Sequence, residues 1–332
     1  MRSIQRALPL LLVCSALPAT LAQQPRLLVA QKGEQSLAIV DPVSGTILAS
    51  VPEGGTTGHE VVASSDGRLA YVPIYGNSGV GKPGTDGSNL AVIDIARQKI
   101  IGNVDFGHGV RPHMPIFGPK DGLLYVTTEL DQSITLIDPK NLKIVGSIPT
   151  GQPQSHMLAL SHDGLRGYTA NVGPGTVSVL DIPNRKVLKI IPVSGDTQRI
   201  SITPDDRWVF TADQTQPRLA AIDTRTNQVA HWVPLEGLAY GTAPTLDGKF
   251  LLVTLPEKNK LAVVDIAAMK VIRSIDTPTD PEEVLVQPNN KSAWISSPAS
   301  HTESELDLTT RQITKRIQTG KNSDGIAWAA SQ

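Results

Sequence analysis

Short runs of alternating apolar and polar residues recur along the chain and predict β-strands almost throughout. An aliphatic residue followed by aspartate ends such a run seven times, at Asp41, Asp94, Asp138, Asp181, Asp223, Asp265 and Asp307. These aspartates are 53, 44, 43, 42, 42 and 42 residues apart. A period of this length predicts a repeat architecture, in which each unit buries its apolar face against its neighbours.

Each repeat carries the pattern of four strands. A large apolar marker lies 13 residues before six of the aspartates, at Leu28, Tyr125, Tyr168, Phe210, Leu252 and Trp294, and Tyr71 lies 23 before Asp94. A turn such as Asp163-Gly164 and an apolar run such as 157–160 precede the marker, and a β-branched run such as 186–191 follows the aspartate. Four antiparallel strands per repeat is the pattern of a β-propeller blade.

The two ends of the chain predict how the ring closes. The first repeat begins at a second strand, 27–31, and supplies three strands, whereas 325–329 is a first strand with no successor. We therefore predict an all-β, seven-bladed β-propeller over residues 23–332, closed by three N-terminal strands plus one C-terminal strand. The repeated aspartates are predicted to cap strand-ending turns, because their carboxylates accept backbone hydrogen bonds there.

The strand pieces resemble those of a known repeat family. Tyr71-Val72, 125–128 (Tyr-Val-Thr-Thr) and 168–171 (Tyr-Thr-Ala-Asn), together with the aliphatic-aspartate turns, are similar to the YVTN-type β-propeller repeats. The resemblance covers essentially the whole chain after residue 22. It implies the fold but no single activity, since related propellers include binding proteins, lyases, lactonases and oxidoreductases.

The first residues have the pattern of a secretory signal peptide. Arg2 and Arg6 precede an apolar run, 7–17, that is too short to cross a bilayer, and a small residue, Ala22, suits cleavage. We expect residues 1–22 to be removed. The protein is then periplasmic or secreted, with no membrane insertion after cleavage.

Composition excludes several classes of chemistry. The one cysteine, Cys14, lies in the predicted signal peptide, so neither disulfides nor thiolate catalysis are expected and any metal must have nitrogen or oxygen ligands. Removing Arg2 and Arg6 lowers Lys+Arg from 30 to 28 against 31 acids, a net charge of −3, with no run of like charges. We expect a monomer that binds a small molecule or an exported protein partner, and no nucleic acid.

One polar residue opens the first strand of each repeat. These residues lie 12 before the marker, or 17 after the preceding aspartate, and are His59, His113, His156, Gln198, Tyr240, Glu282 and Asp324. The first strand of a blade is innermost, so these ring positions should surround one mouth of the axial channel.

Three of the chain's seven histidines occupy consecutive ring positions: His59, His113 and His156. Neutral imidazoles that converge from adjacent blades would hold one divalent metal ion, at nitrogen-to-metal distances of ~2.1 Å. The alternative is that these side chains simply line a wet channel.

The positions directly after the ring residues add charged side chains. The sequence does not decide whether a ring residue or its neighbour faces the channel. Glu60, after His59, and the ring residue Tyr240 are candidate acid or base groups. Arg199 and Arg111 are candidates to bind an anionic substrate, since a guanidinium offers forked donors. The remaining candidate ligand contacts are His108, Lys82, Gln198, Glu282 and Asp324.

Two irregular segments accompany the histidines. The connection 73–89 is ten residues longer than its equivalents and glycine-rich, which predicts either a lid over a ligand or a disordered surface insertion. Residues 76–82 within it match G-x-x-x-x-G-K, but Pro83 replaces the required hydroxyl and no helix follows, so no phosphate loop is predicted. The longer connector 106–113 places His108 and Arg111 on the same face.

Two functions remain open from sequence. The protein is either a noncatalytic module that binds a ligand at the channel mouth, with or without a metal ion, or a metal-dependent enzyme that uses the three histidines. A lyase or hydrolase fits the second hypothesis better than an oxidoreductase.

Overall fold

The structure, a computed structural model, describes residues 24–331. It contains seven four-stranded antiparallel sheets, each of which is one blade, and this confirms the predicted propeller. The predicted signal peptide and Cys14 lie outside the described residues. Within 24–331, no helix has the length and hydropathy needed to span a bilayer.

The blades use the strands in chain order, apart from the strand that closes the ring. Blade 1 contains β1 (Arg26–Gln31), β2 (Ser36–Asp41), β3 (Thr46–Pro52) and, innermost, β28 (Ser323–Ala329). Blade 2 contains β4 (Val62–Ala63), β5 (Leu69–Gly76), β6 (Asp86–Asp94) and β7 (Lys99–Asp105). Blade 3 contains β8 (Pro112–Phe117), β9 (Leu124–Thr128), β10 (Ser133–Asp138) and β11 (Lys143–Pro149). Blade 4 contains β12 (Ser155–Leu160), β13 (Arg166–Asn171), β14 (Thr176–Asp181) and β15 (Lys186–Pro192).

The last three blades repeat the same order. Blade 5 contains β16 (Thr197–Ile202), β17 (Trp208–Asp213), β18 (Arg218–Asp223) and β19 (Gln228–Pro234). Blade 6 contains β20 (Thr242–Pro244), β21 (Phe250–Leu255), β22 (Lys260–Asp265) and β23 (Lys270–Asp276). Blade 7 contains β24 (Glu283–Val286), β25 (Ser292–Ser297), β26 (Thr302–Asp307) and β27 (Gln312–Gln318). Short 3₁₀ turns occur at Lys32–Glu34, Pro256–Lys258 and Pro298–Ser300.

Closure of the ring follows the prediction. The C-terminal strand β28 pairs antiparallel with β1, with Leu28 opposite Ala327 and Leu27 opposite Trp328. This pairing gives the N-terminal sheet its innermost strand, so blade 1 is built from both ends of the described chain.

The core lies between the faces of neighbouring sheets. Leu28 and Ile39 of blade 1 pack in one cluster with Val72 and Ile93 of blade 2. The aromatic marker Trp294 is among the largest fully buried side chains. Burial of such markers between sheets explains why large apolar residues recur at this position of the repeat.

The repeated aspartates cap the turns that follow the third strand of each blade. Asp41 Oδ1 accepts the backbone N–H of Val43 at 2.9 Å, and Asp307 Oδ1 accepts that of Thr309 at 2.9 Å. Asp94 accepts the N–H three residues on instead, at 2.8 Å. The structural interpretation of these residues is confirmed.

The long connection in blade 2 is largely an extended hairpin. Segments 73–76 and 86–89, which the sequence placed in a loop, continue β5 and β6 beyond the length of the equivalent strands. The loop proper spans 77–85, and we call it the lid loop. Asn77 Oδ1 accepts the N–H of Thr85 at 2.7 Å and ties its two ends together.

Candidate functional site at the channel mouth

A cavity of about 280 Å³ opens where the inner strands begin. Six of the seven ring positions line it: His59, His113, His156, Gln198, Tyr240 and Asp324. The seventh, Glu282, lies close enough to Asp324 and Lys32 for their charges to act on its pKa. Six of the seven predicted ring positions thus surround one cavity, and the roles of all seven stay predictions.

A β-bulge in blade 5 allows two neighbouring residues, Gln198 and Arg199, to face the channel. Gln198 pairs with Ala212 and Ile200 with Thr211, so Arg199 is an extra residue in β16, with φ at 53°. Successive side chains in a regular strand point to opposite faces, and a bulge removes that alternation. As a result, both Gln198 and Arg199 line the cavity.

The three histidines meet on one side of the cavity around Tyr75. The ring centroids of His59 and His113 are 5.5 Å apart, and those of His113 and His156 are 3.6 Å apart. The Tyr75 ring lies 4.6 Å from His59, 5.3 Å from His113 and 5.7 Å from His156. These four rings, which we call the aromatic wall, come from blades 2, 3 and 4.

Burial keeps these imidazoles neutral. It lowers the pKa of His59 to about 4, although the nearby Asp324 carboxylate raises it, and burial lowers the pKa of His113 and His156 well below the ordinary value. Within the described part of the chain, the buried Nδ1 atoms of His113 and His156 have no hydrogen-bond partner, and His156 Nδ1 lies 3.9 Å from a carboxylate oxygen of Glu129. Unpaired buried polar atoms are rare in folded proteins, so these two atoms mark a place for a ligand or water.

The histidines do not form a preassembled metal site. Among residues 24–331, no group of three or more His, Cys, Asp or Glu side chains is arranged to hold a metal ion. The rings of His113 and His156 lie in close contact, tilted by 34°. The metal ion therefore stays a hypothesis.

A buried ion cluster adjoins the cavity, and its members Lys32, Arg199 and Asp324 line it. The Arg199 guanidinium contacts Glu60, lies 2.6 Å from Glu283 and donates to Asp324 at 3.1 Å. The Lys32 ammonium bonds Asp324 from the other side, also at 3.1 Å. We call these five residues the ion cluster.

The carboxyls around this cluster differ in their affinity for protons. Burial raises the pKa of Glu60 to about 8 against the attraction of Arg199, and raises the pKa of Glu282 to about 7 against that of Lys32. Burial also disfavours the ionised form of Asp324, but Lys32 and Arg199 outweigh it and hold the pKa at about 2. Asp324 is thus the permanent anion, and Glu60 and Glu282 are proton-binding groups near neutral pH.

Tyr240 lies against the ion cluster. Its ring centroid is 5.2 Å from the Arg199 guanidinium carbon, and burial raises its pKa above the ordinary range. A phenol in this state is protonated at neutral pH and acts as a hydrogen-bond donor rather than as a base.

The lid loop covers the aromatic wall. Gly79 and Val80 at its tip line the cavity beside the histidines. Arg111 holds the loop, since it donates to Asp86 at 2.6 Å and to the Lys82 carbonyl at 2.8 Å.

A second residue, Glu129, also holds the lid loop in place. Its carboxylate accepts hydrogen bonds from the Tyr75 hydroxyl and from the Gly81 N–H, the latter at 3.0 Å. Arg111 lies 3.6 Å from the same carboxylate. The N–H groups of Arg111 that the sequence offered to an anionic substrate are directed to the protein itself.

Five of the sequence candidates do not line this cavity: Glu60, Glu282, Arg111, His108 and Lys82. His108 is exposed and lies 2.9 Å from Asp131. Lys82 is exposed and lines a neighbouring cavity of about 350 Å³ on the other side of the lid loop, with Gln154. These two residues are therefore not brought together with the ring positions.

Sequence reasoning missed Lys32, Tyr75 and Glu129. All three lie at or just beyond the end of a second strand, in blades 1, 2 and 3. In an antiparallel blade the second strand ends on the face where the first strand begins. Polar residues at that repeat position were therefore the signal that could have revealed them.

Comparison with known proteins agrees with this fold. No protein-family model matches the chain. The uncharacterized protein YncE of Salmonella typhi and that of Salmonella typhimurium are each 24% identical to it over 172 residues. The matched segment covers 50% of this chain and 48% of each relative, so it spans about half the length of the curated relatives.

Two solved structures have the same architecture. The periplasmic gluconolactonase PpgL of Pseudomonas aeruginosa superposes with a TM-score of 0.73 at 15% identity and covers 92% of this chain and 99% of its own. Kuenenia stuttgartiensis hydrazine synthase gives 0.70 at 18% identity and covers 82% of this chain and 90% of that one. These likenesses show the fold alone. With the seven blades and the similarity to YncE, they confirm the predicted resemblance to the YVTN-type, YncE-like seven-bladed propellers.

Proposed function

We propose that this protein binds a small molecule in the cavity at the channel mouth, between the aromatic wall and the ion cluster and beneath the lid loop. The observation that carries the proposal is that the buried Nδ1 atoms of His113 and His156, in residues that line the cavity, have no hydrogen-bond partner among residues 24–331. A ligand that hydrogen-bonds to them would remove the cost of leaving them unsatisfied, which is ~1–3 kcal/mol per group.

The site has other properties of ligand pockets. It is concave, aromatic on one side and charged on the other, and its lid loop is held by side chains rather than by the sheet. A pocket of this size accommodates a small molecule and not a folded partner. Residues 1–22 support placing this binding activity in the periplasm or outside the cell.

The test is a thermal-shift screen of the purified protein with a panel of neutral, anionic and cationic metabolites. We expect compounds that stabilise the protein, and we expect this stabilisation to be lost in His113→Ala and His156→Ala. His231→Ala is the matched control, because His231 is exposed on β19 of another blade. A hit that binds equally well to all four proteins would contradict the proposed site.

A metal-dependent enzyme is the second candidate. It is favoured by the neutral state of three neighbouring imidazoles and by the protonated Tyr240 across the cavity. Under this hypothesis His59, His113 and His156 hold a divalent ion, and Glu60 or Tyr240 transfers a proton in a hydrolase or lyase reaction. Likeness in fold to a gluconolactonase is compatible with it.

This hypothesis predicts stoichiometric metal in the purified protein and its loss in His156→Ala. Elemental analysis of both proteins measures it directly, with His231→Ala as control. If the wild-type protein binds small molecules while it neither contains nor takes up metal, the enzyme hypothesis fails and the binding function stands.

A further inference from the structure

One core position of the repeat holds a carboxyl in a single blade. The residue four before each repeated aspartate is fully buried in all seven blades. Six of these residues are aliphatic and the seventh is a glutamate: Leu37, Leu90, Ile134, Val177, Leu219, Leu261 and Glu303. Packing does not require a carboxyl there, since an aliphatic side chain fills the same position in the other blades. Residues that break such a local rule are expected at functional or strained sites.

Glu303 lies at the boundary between blade 7 and the closing strand β28 of blade 1, which we call the seam. Its Oε1 atom accepts the hydroxyl of Ser296 on β25 at 3.2 Å and that of Thr319 at 3.3 Å. The Ser296 hydroxyl lies 3.0 Å from that of Ser323, the first residue of β28. These hydroxyls connect the Glu303 carboxyl to the strand that closes the ring.

The surroundings of this carboxyl favour its protonated form. Its Oε2 atom is buried and has no hydrogen-bond partner among residues 24–331. Burial raises the pKa of Glu303 to about 7, although hydrogen bonds from three hydroxyls lower it, those of Ser323, Ser296 and Thr319. The nearby charge of Glu283, on β24, raises the pKa further. An ionised Glu303 would therefore be a buried charge with no ion pair in the described part of the chain, which is costly.

The seam also contributes to the cavity at the channel mouth. Ser323 is followed by Asp324, whose side chain lines the cavity. Asp324 is directed away from Glu303, to Lys32 and Arg199, which bond it at 3.1 Å each. Opening of the seam at Ser323 would therefore move the carboxylate that holds two cations of the site.

From these contacts we infer that Glu303 is a positioning residue that controls the seam through its protonation. The neutral carboxyl holds β28, and with it Asp324, against blade 7, and ionisation of the carboxyl favours opening of the seam to water. The closed seam buries a carboxylate and the open seam hydrates it, so opening and loss of the proton favour each other. The inference goes beyond the proposed function, because it concerns the protein without a ligand.

The pH range of this effect follows from proton binding in the two states. With the seam closed, Glu303 has a pKa of about 7, whereas a hydrated glutamate has a pKa near 4.5. The closed state therefore binds more protons between these values, and its stability relative to the open state falls as the pH rises from about 5 to 7. Below this range the contribution of Glu303 is fully present.

Hydrogen exchange of residues 323–329 at pH 5, 6, 7 and 8, corrected for intrinsic exchange rates, measures opening of the seam in the full purified protein. The quantity to compare is the ratio of protection in the wild-type protein to protection in Glu303→Gln. We expect this ratio to fall about tenfold or more between pH 5 and pH 7, because glutamine stays neutral throughout. The ratio cancels the titration of the groups that both proteins share.

A second variant and a control accompany this measurement. Glu303→Leu introduces an aliphatic residue, as in the other six blades, and should remove the same pH dependence; it keeps the test decisive if Glu303→Gln fails to fold. Glu305→Gln is the matched control, since it makes the same change two residues along β26 at a half-buried side chain. We expect Glu305→Gln to retain the pH dependence of the wild-type protein.

Two results would overturn the inference. If the ratio of wild-type to variant protection stays constant from pH 5 to pH 7 for both Glu303 variants, the carboxyl is ionised or hydrated in the closed seam. If Glu305→Gln loses the pH dependence to the same extent, the effect does not belong to the buried position. No ligand takes part in these measurements, so their outcome is separate from that of the proposed function.

Discussion

The cost of burying charge largely determines which side chains at the channel mouth are protonated. Asp324 remains ionised because Lys32 and Arg199 both contact it, whereas Glu60 shares Arg199 with two other carboxylates and keeps a proton. The same burial leaves His59 without its proton. Neighbouring side chains in one cavity therefore carry opposite protonation states at neutral pH, and local partners determine which.

We predict that the ligand-free protein loses stability as the pH rises from about 6.5 to about 8. The folded state retains the Glu60 proton up to about pH 8, whereas an unfolded carboxyl loses it near 4.5, so the folded state binds more protons in between. His59 has the opposite effect between about 4 and 6.5, so the fall is visible above that window. Its size should be about 1–2 kcal/mol, since one pKa unit corresponds to ~1.4 kcal/mol.

Urea unfolding at a series of pH values measures this dependence. In Glu60→Gln the fall above pH 6.5 should be smaller, because one of the titrating groups has been removed. A wild-type protein whose stability stays constant or rises across this interval would show that Glu60 is ionised in the folded state.

At the scale of elements, the lid loop depends on how closely the hairpin β5–β6 approaches the chain before β8. The Gly87 carbonyl accepts the N–H groups of Val110 and Arg111, at 2.9 and 3.0 Å. A Cβ at Gly87 would lie 1.6 Å from the Ile74 carbonyl oxygen, so the hairpin requires glycine there. The backbone contact places the Arg111 side chain where it reaches the loop.

Gly87→Ala should destabilise the protein by about 1–3 kcal/mol and release the lid loop, because strand β6 must move away from β5. Urea unfolding measures the first effect, and hydrogen exchange of residues 77–85 measures the second. Gly79→Ala is the matched control, since the nearest atom to its Cβ would be Lys82 Cγ at 3.7 Å. Equal protection of the loop in both variants would contradict a lid held through the Gly87 contact.

At the scale of the whole molecule, the site exists only in the closed ring. Lys32 and Asp324 form their ion pair across the pairing of blade 1, and Arg199 reaches Glu60 from a blade that is distant in sequence. The ring brings these residues into one cluster. The cluster in turn joins the closing strand β28 to blades 2 and 5.

Deletion of residues 323–332 removes β28 and should abolish cooperative unfolding, because β1 becomes an unpaired edge at the channel and Arg199 loses one of its partners. Thermal melts followed by circular dichroism measure this, and removal of residues 331–332 alone is the control. A truncated protein that melts as sharply as the full chain would show that the ring is stable without the pairing of β28 with β1.

The sequence by itself determined the repeat, the number of blades, the closure and the ring of polar positions. These features follow from local hydrophobic patterning, which recurs at a fixed spacing. It also indicated a lid in blade 2, but not that 73–76 and 86–89 continue the strands of its hairpin.

Tertiary structure alone decided how the ring residues are used. The bulge at Arg199, the pairing of Lys32 with Asp324, and the contacts of Glu129 with Tyr75 and the lid loop depend on backbone positions from different blades. The protonation states of the site residues were also decided by the tertiary structure, because they depend on burial and on charges contributed by distant parts of the chain. Patterning along a chain determines which residues reach the channel, and distances through space determine their partners and their charge.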